Sequence, residues 1–131
     1  MSGARFLLIA VGVAGLMLVG TVSPRAHHSF AAEFDSTIPV TVTGTLSKVE
    51  WTAPHSWIYI DVKDSSGKVV TWGFEGFPPM ILKRTGVSRD LLKIGELVSV
   101  TGWRARASNL RAAGRALTLA GGKKVFIGPE V

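Results

Sequence analysis

The chain has three histidines, His27, His28 and His55. Imidazole is the side chain that most readily binds metal and exchanges protons near neutral pH. Cleavage after Ala26 would make His27 the mature N-terminus, offering an α-amine and an imidazole from one residue. Copper(II) favours such nitrogen ligands in tetragonal geometry, and His28 or His55 could supply a third nitrogen. Glu33, Asp35 and Glu50 are candidate partners or extra ligands. His27, His28 and His55 are therefore the expected metal set, with copper the candidate ion. The competing reading is a surface histidine pair near a flexible start, with His55 satisfied by loop backbone.

Aromatic and basic residues form two further groups. Trp51 and Trp57 flank His55, Tyr59 lies two residues beyond Trp57, and Trp72 falls on the next strand. An aromatic face of this kind can stack on a sugar ring or a base, although some of the 4 tryptophans must enter the core. Arg104, Arg106, Arg111 and Arg115 cluster in sequence. Guanidinium groups there could hold carboxylate or phosphate, or form a solvated basic face. The expected ligand-binding residues are Trp51, His55, Trp57, Tyr59, Trp72, Arg104, Arg106 and Arg111. No catalytic residue is assigned. The chain has neither a Gly-x-Ser-x-Gly elbow nor a His-Glu-x-x-His helix, and it has no cysteine, hence no thiol nucleophile and no disulfide. Nothing marks out a pair of carboxylates, and Glu75 and Asp61 read as easily as surface charges.

The elements that must position these groups are mostly strands. Val40 to Trp51 alternates Val40, Val42, Gly44 and Leu46 against Thr41, Thr43, Thr45 and Ser47, the period of a half-buried strand. Gly44 within it suggests a bulge or bend. Trp57–Val62 and Lys68–Glu75 form a hairpin about the Asp64–Gly67 turn. Phe77 to Thr85 reads as a short helix with proline in its first turn, and Ser88 to Leu92 as a capped helical turn. Leu97–Trp103 is a fourth strand, entered through Gly95. Residues 105–114 read as a small, basic loop, Arg115–Leu119 as a fifth strand, and Lys124–Ile127 as a short partner strand across Gly121-Gly122. Three strands, a short helix and two or three more strands predict a mostly all-β fold. The expected architecture is a small five-to-six-stranded OB-like Greek-key barrel with one helix between strands 3 and 4. A generic β-sandwich is the rival.

The N-terminus predicts export. Arg5 precedes an apolar run of 14 residues, Phe6–Val19, and a short polar tail ends at Ala26. The run is short for a permanent membrane span, which needs about 20 apolar residues. The expected organisation is a signal peptide, helical in its apolar part, over 1–26, an extended lead-in over 27–39, and the barrel over 40–131. Of the 15 basic residues, Arg5 and Arg25 leave with the signal; 13 remain against 9 acidic, a net charge of +4. Export, more than this mild charge, disfavours nucleic acid as a partner.

The stretches AHHSFAAEFD (Ala26 to Asp35), VTGTLSKVEWTAPHSWIYIDVKDSSGKV (Val42 to Val69) and LKIGELVSVTGWRARA (Leu92 to Ala107) carry a resemblance. They resemble a family of small secreted bacterial proteins described only as a domain of unknown function, marked by the histidine pair and a W-x-x-P-H-x-W loop. The resemblance implies a secreted β-barrel-like domain and no particular activity. Pro24 and Arg25 stand before the histidine pair where the family has small residues, so cleavage after Ala26 and after Ala31 both stay open. The expected function is a periplasmic or secreted, non-enzymatic OB-like binding module for a small molecule or glycan. Such a module would meet the membrane only in transit. The alternatives are a copper-binding protein and an accessory subunit that docks on a periplasmic protein.

Overall fold

The computed structural model describes residues 29–131. The expected signal peptide, His27 and His28 lie outside the described residues. The lead-in divides in two. Phe30–Glu33 (α1) forms one helical turn that brings the Phe30 and Phe34 rings to 5.3 Å. The first strand, β1, then runs from Phe34 to Glu50 rather than starting at Val40. Residues 35–39 lack an apolar period, yet they are extended because β1 pairs there with a distant strand, Phe34 opposite Ala105 and Pro39 opposite Trp103. The ladder is irregular between those two pairs, which accommodates a proline without an N–H.

The β2 (Ser56–Lys63) and β3 (Val69–Gly76) strands form the expected hairpin. Asp64 ties its turn by accepting the Ser66 and Lys68 N–H groups at 2.9 and 3.0 Å. A short helix, α2 (Pro79–Arg84), follows and buries Leu82 under the barrel. Ser88 caps the next segment through the Leu91 N–H at 3.3 Å, but the chain there makes turns and no helix. The remaining strands are β4 (Leu97–Ala105), β5 (Arg111–Leu119) and β6 (Lys124–Phe126). One correction concerns β5: Arg111–Gly114, expected as loop, is strand. Its Arg-Ala-Ala-Gly sequence carries no alternation, and it is held between β4 on one side and β3, nearly forty residues earlier in the chain, on the other.

The strand order is β3-β2-β1-β4-β5-β6, and a parallel pairing of β3 with β5 closes the sheet. This is an OB-type barrel of five strands, with β6 added beside β5 and a helix between the third and fourth strands, as the order of elements implied. Leu46, Ile58, Ile60, Phe74, Leu117 and Ile127 are fully buried inside it. Each such side chain contributes about 1.5–3 kcal/mol relative to exposure.

Closure needs close backbone approaches. A Cβ on Gly44 would lie 2.3 Å from the Asp61 carbonyl oxygen, and the bulge itself falls just beyond, between Leu46 and Lys48. A Cβ on Gly102 would lie 1.9 Å from the Ala113 carbonyl oxygen, where the β4–β5 register also shifts. Neither neighbour is a side chain that can swing aside. Gly102→Ala is expected to destabilise the fold by about 2 kcal/mol or more, lowering the thermal midpoint by about 10 °C. Gly121→Ala meets nothing within 4 Å and should leave the midpoint within a few degrees. Parallel melts of the two variants check this.

Candidate functional site: a cleft beside the barrel seam

Strand register assembles the site. In the β2–β3 hairpin Trp57 stands opposite Glu75 and Tyr59 opposite Gly73, so these side chains share the outer face. The seam then sets Arg111 beside Gly73 and Ala113 beside Glu75. The Arg111 guanidinium lies over the Trp57 ring, 4.3 Å from its centroid. His55 immediately precedes β2, and its Nδ1 is 3.1 Å from Glu75 Oε1. With Nδ1–H donating to that carboxylate, Nε2 of a neutral His55 carries the free lone pair.

One wall of the cleft comes from α1, which Arg106 fastens to the barrel. The Arg106 Nε donates to the Ala31 carbonyl at 2.9 Å, its Nη1 to Asp35 Oδ2 at 3.0 Å, and its backbone N–H to the Glu33 carbonyl at 2.9 Å. The resulting cleft holds about 410 Å³ between α1, β2, β3 and the β4–β5 loop, with Glu33, Trp57, Glu75, Arg106, Ser108 and Arg111 among its walls. That volume falls within the usual range of small-molecule sites.

Burial pushes the Glu75 carboxyl above the ordinary carboxylate range; the His55 charge opposes this, the Glu33 charge adds to it, and the Arg111 charge opposes it. Asp35 is held low, chiefly by hydrogen bonds from Thr37, and Glu50 by its bond to Lys48.

The structure gathers His55, Trp57, Arg106 and Arg111 from the expected set, and places Tyr59 next to them. Tyr59 is itself occupied: its hydroxyl donates to Glu50 Oε2 at 3.2 Å, and the Lys48 ammonium lies 5.4 Å from its ring centroid. Trp51 and Trp72 do not join the aromatic face. Trp72 stands opposite Ile60, so the strand period turns it inward, where it stacks on Phe74 at 6.0 Å. Trp51 packs against the core with Arg89 over its ring. Arg104 pairs in register with Ala112 and lies outside the cleft lining, and Arg115 pairs with Glu130.

Of the expected metal set only His55 is described. Among the described residues no group of three or more His, Cys, Asp or Glu side chains is placed to hold a metal. Asp35 and Glu50, considered as extra ligands, are engaged by Thr37 with Arg106 and by Lys48 with Tyr59. Glu75 is the main residue that the sequence did not single out. The hairpin turn fixes its place opposite Trp57, so counting outward from Asp64–Gly67 would have found it.

A carboxyl raised in the folded state binds its proton more tightly there than in the unfolded chain. Ionised Glu75 therefore costs stability, and this cost grows as pH rises through the interval above the ordinary carboxylate range. Glu75→Gln removes it. The variant should gain on the parent between about pH 4 and neutrality, with a slope no steeper than about 1.4 kcal/mol per pH unit, and the gap should close in acid. Denaturant titrations across that range check the sign.

A family model, a family of unknown function (DUF6152), matches residues 15–114. No curated protein matches the sequence. Among solved structures, the chain is similar to the mitochondrial single-stranded DNA binding protein Rim1 of S. cerevisiae. The two are 14% identical with a TM-score of 0.47, over 73% of this chain and 98% of that one. The family match spans well over half of the sequence, and the chain belongs to the DUF6152 family of unknown function.

Proposed function

We propose that the chain is an exported, non-enzymatic binding module for a small charged molecule, and that the cleft beside the β3–β5 seam is its site. The observation that carries this reading is the stacking of Arg111 on Trp57 within a 410 Å³ cleft that also holds the half-buried Glu75 carboxylate. Stacking fixes a guanidinium that would otherwise lose rotamer freedom on binding. It also covers the Trp57 ring, as Lys48 covers Tyr59, which favours charged ligands over a sugar ring laid flat on either aromatic. Export rests on the apolar run at Phe6–Val19 and its polar tail. Cleavage after Ala26 leaves α1 whole, whereas cleavage after Ala31 would cut through it and its bond to Arg106.

The test is thermal unfolding of the purified chain against amino acids, organic acids, amines and sugars. One class should raise the midpoint, by the equivalent of about 2.7 kcal/mol at a hundredfold excess over Kd, and the effect should vanish in Trp57→Ala. If no class shifts the midpoint, the cleft is not a binding site for such ligands.

The Glu75–His55 contact favours a second reading. A carboxylate that orients an imidazole through Nδ1 leaves Nε2 as a ready metal ligand. Copper would be held by His55 together with His27 and His28. Calorimetric titration of copper into chain of verified N-terminus should show a site at least as tight as micromolar, lost in His55→Ala. Weaker binding, or binding indifferent to His55, counts against it.

A further inference from the structure

We propose that the cleft selects zwitterions of dipeptide length, with the ligand ammonium at Glu75 and its carboxylate at Arg111. This rests on the reading of the cleft as a binding site and assigns its ligand class. The two arms are opposite in charge, and although the Arg111 charge acts on Glu75 they make no direct salt bridge. The Glu75 Oε1 faces His55 Nδ1, while its Oε2 accepts no hydrogen bond among the described residues. The Arg111 guanidinium rests on Trp57 and donates to no acceptor among them. A guanidinium held flat on an aromatic ring keeps its N–H edge available for a two-pronged bond to a carboxylate.

Register gives the spacing. Arg111 stands beside Gly73, and Glu75 lies two residues further along β3. Two residues of strand advance about 7 Å, and adjacent strands are about 4.8 Å apart. The arms therefore spring from points roughly 8 Å apart across the seam. An extended dipeptide spans about 7 Å between its termini, which matches that spacing of strand positions more closely than a single α-amino acid does. A ligand with one charge would engage only one of the two arms and gain only one charged contact. The backbone of the ligand would cross between Trp57 and the α1 wall that Arg106 holds in place.

Calorimetry with four probes tests the proposal: glycylglycine, N-acetylglycylglycine, glycylglycinamide and glycine. Glycylglycine should bind at least about tenfold more tightly than each of the others, a margin set by one lost charged contact. Glu75→Gln should erase the preference over the N-acetyl form, and Arg111→Gln the preference over the amide. Arg115→Gln, outside the cleft, should change neither. Equal affinity for the N-acetyl form would make this an anion site, and equal affinity for the amide a cation site; either overturns the zwitterion assignment. If glycylglycine is silent while another compound raises the thermal midpoint through Trp57, the assignment fails and the cleft remains a binding site. If nothing binds, both fail.

Discussion

The parallel seam between β3 and β5 is the constraint on which the rest of the molecule depends. It joins Gly73 to Arg111, Phe74 to Ala112 and Glu75 to Ala113, and it converts an open antiparallel sheet into a barrel with few free edges. Its sequence cost is visible on both sides. Ala112, Ala113 and Gly114 are small and buried, and a Cβ on Gly114 would lie 2.7 Å from Ile127 Cδ1. The C-terminal segment packs into that space. Phe77 donates its N–H to the Ile127 carbonyl at 2.6 Å, and a Cβ on Gly128 would strike the Gly114 oxygen at 1.9 Å.

The same seam makes the cleft. Without it, Arg111 would sit in a solvated loop, far in sequence from Trp57 and Glu75. With it, a base, an aromatic ring and a half-buried acid become neighbours on rigid strands, where side-chain positions are better fixed than on loops. The electrostatics follow from this placement. Glu75 pairs with Ala113 in the ladder, so its carboxyl is partly withdrawn from water while the Glu33 charge lies nearby. His55 and Arg111 offset that cost without removing it.

The antiparallel part of the fold was largely legible. Alternating valines and threonines mark β1, the Asp64–Gly67 turn marks the β2–β3 hairpin, and the proline pair marks α2. These are local signals with a fixed period. The seam was not legible, because Arg-Ala-Ala-Gly carries no alternation and its partner is remote; that same blindness left Arg111 in a loop. Residues 34–39 were likewise hidden by polar and turn-forming residues, which stay extended only because β4 pairs with them. Within the site, Trp57, His55, Arg106 and Arg111 could be named from residue type. The separation of Trp57 from Trp72 required the register, and Glu75 emerged only once the hairpin was counted.

The proposed binding site lies where the seam brings Trp57, Glu75 and Arg111 together. The most direct measurement is a ¹H–¹⁵N correlation spectrum of the labelled protein, titrated with small zwitterions, acids and amines. Binding there should give saturable shifts of the Trp57 indole N–H and of the Glu75, Ser108 and Arg111 amides, with the α2 amides unmoved. Shifts confined to α2 or to the β5–β6 hairpin, with the Trp57 indole unchanged, would contradict it.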